Sequence, residues 1–362
     1  MKILLLGDYS AVHKNLKEGL LELGYDVILA SDGDGKKNIP GKDFPLTIEM
    51  SGNKLVNNRY TQKYYREIQP LLNRKFYGYD IVQMISPTLF DWKIRMQIYK
   101  KIINKNKNIF CLLTSVDYYV YNAWKAGKFR YTPFDDNEEL VNSWIGDSKA
   151  HKIHKEVYNF VLEHSKGIIP VNPYELEMPY YGMKNLRRYI PVPVNTQKIS
   201  YHPNIVKNGK IVIYHSITRP KEKGSDYIVK AMNFIQEKYP NDVECIVREM
   251  VPYTEWLELM DKANVIVDQC KSYTGGMTAA LSLARGKVVL SGFAPETFPS
   301  IQTPDCPIYD ITPNTEQIIR TLEGIIEQKN SIEEIGYRGR KFVEKEHDYI
   351  KVTKMYLEEW SR

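Results

Sequence analysis

At 362 residues the chain is longer than one hydrophobic core usually organises, which points to two domains of ordinary size. It is 43% hydrophobic, 12% aromatic and 26% charged, and no run of about 18 apolar residues is present to cross a membrane. The net charge of +6 is uneven: Met1 to Asn195 carries 28 Lys and Arg against 21 Asp and Glu, the remainder 22 against 23, so the first half suits either an acidic partner (an anionic lipid head group or a phosphate-bearing acceptor) or an ordinary solvated surface.

The opening MKILLLGDYS has too short an apolar run for a secretory leader and ends, at Gly7 and Asp8, like a first buried strand; a cytosolic protein is expected. Lys2 to Leu6, Asp26 to Ala30, Asp80 to Ile85, Asn108 to Thr114 and Gly167 to Val171 read as buried strands. Spacing such as Leu16, Leu20, Leu21 and Leu23, or Ile94, Ile98 and Ile102, predicts crossover helices between them, and hence a parallel sheet. The turn Gly7, Asp8, Tyr9, Ser10 precedes a helix carrying His13, which makes Gly7, Ser10 and His13 candidates to face a cleft; His13 could equally be a surface residue near a helix start. Asp32 and Asp34 in SDGDGKKN have no glutamate at EF-hand spacing and predict a flexible loop. Asp117, after the Asn108 to Thr114 strand, either orients or deprotonates an acceptor hydroxyl or caps the next helix. Tyr118, Tyr119, Tyr121, Trp124, Phe129, Tyr131 and Phe134 then supply aromatic planes on which the C–H faces of a sugar can stack, or else build a half-buried helix and lid.

Tyr189 to Gly209, rich in proline and asparagine, is the predicted linker. Two tandem doubly wound α/β domains follow, over 1–195 and 196–345, with a helical segment over 346–362. Strands are expected at Lys210 to His215, Val243 to Val247, Asn264 to Asp268, Lys287 to Ser291 and Cys306 to Tyr309, and helices from about Gly224, Tyr253, Gly275 and Asn314. IVIYHSITRPKEKGSDY places His215 at a strand end, with Arg219 and Lys223 just before Gly224 opens a helix. VIVDQCKSYTGGMTAALSLARGKVVL is a strand, a loop with Gly275 and Gly276, a small-residue helix and another strand. A helix N-terminus behind glycine offers free N–H groups and partial positive charge, and Arg and Lys add the charges that match a diphosphate. The plainer readings are a surface ion pair for Arg219 and a tight turn at the glycines. Cys111, Cys245, Cys270 and Cys306 lack metal-ligand spacing, so reduced, buried thiols and no metal site are expected.

SITRPKEKGSDYIVKAM, the Val265 to Leu290 segment and GYRGRKFVEKEHDY resemble family four glycosyltransferases, enzymes of the GT-B fold, and especially bacterial ones that assemble capsular or cell-surface polysaccharide. GDYSAVHKNLKEGLLELGYDVILASDGDG resembles their first strand, turn and helix. The resemblance implies an interdomain cleft, a final helix crossing back to the first domain, and retaining, metal-independent transfer of a hexosyl-type group. It also implies that Arg219 and Lys223 hold the two phosphates of a nucleotide-diphosphate sugar, supported by the N–H groups of Gly275, Gly276 and Met277, with no cofactor beyond that substrate.

One departure stands out. The family usually carries two glutamates eight positions apart, near the donor sugar and the ribose; registering on Gly286 and Lys287 puts Tyr273 and Leu281 there, and neither is a carboxylate. Glu296 is the nearest carboxylate and joins Asp117 as a catalytic candidate, unless it merely starts a short helix after Pro295. The expected function is sugar transfer to a growing surface glycan, with a glycan or lipid-linked glycan as acceptor and peripheral membrane contact through the basic first domain. A sugar-nucleotide epimerase and a degenerate, non-catalytic nucleotide- or glycan-binding protein are the alternatives. No nucleic-acid partner is expected, because bases and acids are interspersed.

Overall fold

The computed structural model describes residues 1–47, 52–91, 93–145, 149–297 and 306–362. The first sheet contains β1 (Lys2–Leu6), β2 (Asp26–Ser31), β3 (Phe44–Pro45), β4 (Ile81–Met84), β5 (Asn108–Leu113) and β6 (Gly167–Pro170), all parallel, in the order β3-β2-β1-β4-β5-β6. The second contains β7 (Ile211–Ile217), β8 (Val243–Glu249), β9 (Val265–Val267), β10 (Val288–Ser291) and β11 (Ile308–Asp310), parallel again, in the order β11-β10-β9-β7-β8. Runs such as Ile3 to Leu6 and Val288 to Leu290 are almost wholly buried because helices cover both faces of each sheet. Each such side chain contributes roughly 1.5–3 kcal/mol.

The helices are α1 (Val12–Glu22), α2 (Arg59–Leu72), α3 (Arg95–Lys105), α4 (Tyr118–Lys125), α5 (Glu138–Ile145) and α6 (Lys149–His164), then α7 (Pro220–Lys223), α8 (Ser225–Lys238), α9 (Tyr253–Lys262), α10 (Met277–Ala284), α11 (Thr315–Glu327), α12 (Ile332–Glu346) and α13 (Tyr349–Ser361). Sequence spacing did not register β3, which is only two residues long. The helix expected from about Gly224 is α8, preceded by the single turn α7; Gly224, at φ 74°, separates the two, and a Cβ there would meet Cys270 Sγ at 2.4 Å. Cys111 and Cys270 are buried, but Cys245 and Cys306 are only half-buried; all four thiols are free.

Strand order reverses between β1 and β4 in the first sheet and between β7 and β9 in the second. At such switch points the loops leaving the strands diverge and open a crevice beyond the carboxyl edge. The chain crosses from one sheet to the other twice, and the crossings are tied together: Val194 N–H donates to His347 O (2.8 Å) and Tyr349 N–H donates to Val194 O (3.2 Å). Beyond the second crossing α13 packs on α1, where a Cβ on Gly19 would meet Thr353 Oγ1 at 2.1 Å. Trp360 Nε1 donates to Gln83 Oε1 of β4 (2.9 Å). No helix among the described residues is long and apolar enough to cross a membrane.

Candidate functional site

The carboxyl edge of the second sheet gathers Lys223, Asp268 and Lys271. Lys223 ends the single turn of α7 whose N-cap is Arg219; Lys223 N–H donates to Arg219 O (2.9 Å). Both cations thus leave one short loop, Arg219 exposed and Lys223 buried. Lys223 Nζ lies 2.6 Å from Asp268 Oδ1, just past β9. An ammonium has three N–H donors, so this pairing leaves Lys223 capacity for a further acceptor. A cavity of about 150 Å³ lies alongside, lined by Lys221, Tyr227, Lys230 and Lys271 of the second domain and Asp136 of the first.

The expected Gly275, Gly276 and Met277 stand at the start of α10, where Gly276 is the N-cap without a capping side chain. A Cβ on Gly276 would meet nothing within 4 Å among the described residues, whereas one on Gly275 would meet Ala279 Cβ at 2.6 Å. Gly276 therefore faces open space and Gly275 is required by packing. Gly275 and Thr274 also border a cavity of about 250 Å³ whose other wall includes Tyr189, Pro191, His347 and Lys351 of the two crossings.

His215 does not reach this opening. It is fully buried, with Nδ1 2.7 Å from Val267 O and Nε2 2.9 Å from Ser225 Oγ, so both ring nitrogens are engaged. Burial pushes its pKa down to about 4. The imidazole is neutral and couples β7 to β9 and α8.

Tyr273 is buried at the domain contact. Its hydroxyl oxygen accepts from Arg130 N–H (2.7 Å) and Tyr131 N–H (3.3 Å) of the first domain, and its N–H donates to Glu175 Oε2 (3.0 Å). Ser272 Oγ donates to Glu175 Oε1 (2.7 Å). Burial raises the Glu175 carboxyl to about 7, against the lowering effect of those two hydrogen bonds. Glu296 is bound on both oxygens by the Arg130 guanidinium, at 2.5 and 2.9 Å, which holds its carboxyl below the usual range. Lys271 Nζ donates to Asp135 O and Tyr227 OH to Asp136 Oδ2 (3.1 Å), extending the bridge toward the lysine-lined cavity. Leu281 is buried in α10.

On the first domain, the β1–α1 turn holds Ser10 at φ 53° and Ala11 at φ 67°, two successive non-glycine residues in the left-handed region. Asp34 secures it by accepting from Ser10 N–H (2.9 Å), and Lys37 bridges Asp34 and Ser10 Oγ. The Asp32 loop, expected to be flexible, is thus a strut of this turn, with Asp32 itself paired to Arg66 (2.9 Å). Strain of roughly 1–3 kcal/mol per residue persists only where neighbours impose it, and it concentrates at functional loops. His13 is fully buried rather than on the surface: Nδ1 lies 2.6 Å from Gly7 O, Nε2 has no hydrogen-bond partner among the described residues, and burial lowers its pKa to about 4. Asp8 accepts from His13 N–H (2.9 Å), and burial raises its carboxyl to about 7.

Asp117 is engaged on both oxygens. Oδ1 caps α4 by accepting from Tyr119 N–H (2.8 Å) and Val120 N–H (3.1 Å), while Oδ2 accepts from Tyr158 OH (2.7 Å) and Tyr180 OH. Of the aromatic block, Tyr121, Trp124 and Phe134 pack together in the first domain, and Phe129 and Tyr131 reach across to Tyr273.

No protein-family model and no curated protein sequence matches the chain. Solved structures do match over its whole length. Sucrose-phosphate synthase from Thermosynechococcus elongatus superposes with a TM-score of 0.62 at 14% identity, over 99% of this chain and 98% of that one. Anabaena HepE in complex with UDP-glucose gives 0.61 at 11% identity, over 100% of both chains. This is the GT-B fold. UDP-GlcNAc 2-epimerase from Neisseria meningitidis bound to UDP-GlcNAc gives 0.54 at 13% identity, over 99% of both. Within the GT-B frame, sequence reasoning placed Arg219, Lys223, Gly275 and Gly276 at one sheet edge but missed Asp268, Lys271, Glu175 and Arg130. Asp268 and Lys271 flank a strand end already singled out, and that position was the available signal; no local pattern marks Glu175 or Arg130.

Proposed function

We propose that the protein transfers a sugar from a nucleotide-diphosphate donor, a UDP-sugar foremost, to a glycan or lipid-linked glycan acceptor. The observation that carries this reading is the placement of Arg219, Lys223, Lys271 and the uncapped N-terminus of α10 on loops at the carboxyl edge of the second sheet. The complexes of similar structures with UDP-glucose and UDP-GlcNAc support it. When the glycosidic bond breaks, negative charge develops on the leaving diphosphate, and fixed cations and N–H groups stabilise it without reorganising. Asp268 acts as a positioning residue that aims Lys223. The cationic groups supply charge for the leaving group without a metal. Retention at the anomeric carbon and a surface glycan as acceptor follow the family resemblance alone.

A second reading, a GT-B protein that binds nucleotide without turnover, is favoured by Tyr273 and Glu296. The position of the sugar-binding glutamate holds a tyrosine engaged between domains, and the nearest carboxylate is held by Arg130. Thermal-shift titration with UDP, GDP, CMP and ADP, on the protein and on Arg219→Ala, tests the site, since a ligand of the folded state raises stability by mass action. A shift for one nucleoside diphosphate that Arg219→Ala abolishes supports it, and absence of any shift rejects it. Sugar release or transfer from the matching donor then separates transferase from binder.

A further inference from the structure

Four of the eleven large hydrophobic residues that stand exposed among the described residues, Leu55 (75%), Tyr60 (80%), Tyr64 (68%) and Leu72 (73%), fall on α2 or the turn before it. Tyr60 and Tyr64 are one helical turn apart and share a face, and Arg59 and Lys63 are exposed beside them. Across 52–76 there are six basic residues, Lys54, Arg59, Lys63, Arg66, Arg74 and Lys75, and one acidic residue, Glu67, which is buried and accepts from Asp91 N–H. Arg66 is paired with Asp32, and Lys63 with Asp91, while Lys63 stays half exposed. The surface of this helix is therefore basic, interleaved with aromatic and aliphatic side chains, and without an exposed carboxylate of its own.

An aqueous surface does not favour two tyrosines and two leucines at this exposure, whereas the interface of a bilayer does. Tyrosine rings settle at head-group depth, apolar side chains enter the acyl boundary, and Lys and Arg meet anionic head groups. A protein partner would need a carboxylate-rich groove to neutralise the same cations, and an anionic lipid surface meets that requirement without specific shape. The position is apt as well. α2 follows β3, so its N-terminal end, with Leu55, Tyr60 and Tyr64, lies at the carboxyl edge of the first sheet, the edge that also carries the strained β1–α1 turn.

We infer that the Leu55 to Tyr64 end of α2, with Lys54, Arg59 and Lys63, docks the first domain on an anionic membrane surface. The inference sharpens the lipid-linked acceptor of the proposed function by naming the face that meets the lipid, and it stands or falls without nucleotide present.

The test is co-sedimentation of the full chain with phosphatidylcholine vesicles and with vesicles containing about 30 mol % phosphatidylglycerol. The expected result is binding to the anionic vesicles that weakens with added salt, and a partition coefficient lower by roughly tenfold or more in both Tyr60→Ser/Tyr64→Ser and Lys54→Glu/Arg59→Glu. All four positions are exposed, so the variants should keep the parent melting temperature and the parent nucleotide shift. Failure to bind anionic vesicles, or equal binding by parent and both variants, overturns the inference. Loss of the nucleotide shift with vesicle binding intact would instead reject only the donor site.

Discussion

Tyr273 of the second domain lies face to face with Tyr131 of the first, their ring centroids 4.7 Å apart and their planes 9° apart. The pair is closed on one side by Tyr174, at 4.9 Å from Tyr273, and Arg130 lies over both rings. Tyr273 thus holds the two domains together.

Replacing that tyrosine separates its two contributions. Tyr273→Phe keeps the stack but leaves Arg130 N–H and Tyr131 N–H without their acceptor, a loss of about 1–3 kcal/mol. Tyr273→Ala also removes the ring and should cost about 3–5 kcal/mol in urea unfolding.

Glu175 gives the domain contact a pH dependence. Its carboxyl is raised to about 7 by burial, above an unfolded value near 4.5, so its contribution is fully present below that lower value and is lost as pH rises through about 7. The loss amounts to about 3 kcal/mol at most. Buried Asp8, raised likewise, adds the same sense, whereas neutral His13 and His215, lowered to about 4, lose stability as pH falls from about 6.5 through 4. Glu175→Gln isolates the first term, since its amide oxygen can take the Tyr273 N–H and its NH₂ can donate to Ser272 Oγ. Chemical unfolding at pH 5 and pH 8 should show a smaller decline in the variant than in the parent.

The two cations of the loop after β7, Arg219 and Lys223, should behave differently. Arg219 is exposed, so Arg219→Ala should change unfolding free energy by no more than about 0.5 kcal/mol while weakening nucleoside-diphosphate binding by about tenfold or more. Lys223 and Asp268 are buried at 2.6 Å, and Asp268→Ala, which strands the ammonium, should cost about 3–5 kcal/mol. Melting curves with and without nucleotide read both effects.

The paired glycines give a steric control. Gly276→Ala meets nothing within 4 Å and should leave the fold intact, so any loss of nucleotide binding reports on the start of α10. Gly275→Ala drives a methyl toward Ala279 Cβ at 2.6 Å and Ile308 Cδ1 at 3.1 Å, and should destabilise by about 1–3 kcal/mol even without ligand. Equal melting temperatures for the two variants would refute this division.

Much of the architecture was legible in the chain. Buried parallel strands are near-continuous apolar runs, so Lys2–Leu6, Asn108–Leu113, Ile211–Ile217 and Val288–Ser291 announce themselves, and the glycines and cations after β7 and β9 mark the loops beyond them. These are local properties, fixed by backbone preference and hydrophobic burial over a few residues. The roles of polar side chains were decided elsewhere. His13 and His215 are held neutral because tertiary packing buries their rings, against the opposite pull of the carbonyls they meet, Gly7 O and Val267 O. Asp117 was claimed by tyrosines 41 and 63 residues away, and Glu296 by Arg130 across 166 residues. A carboxylate or imidazole is satisfied by whichever donors or acceptors the packed chain brings within about 3 Å, and those partners are set by tertiary packing, within one domain for Asp117 and His215 and across the domain contact for Glu296.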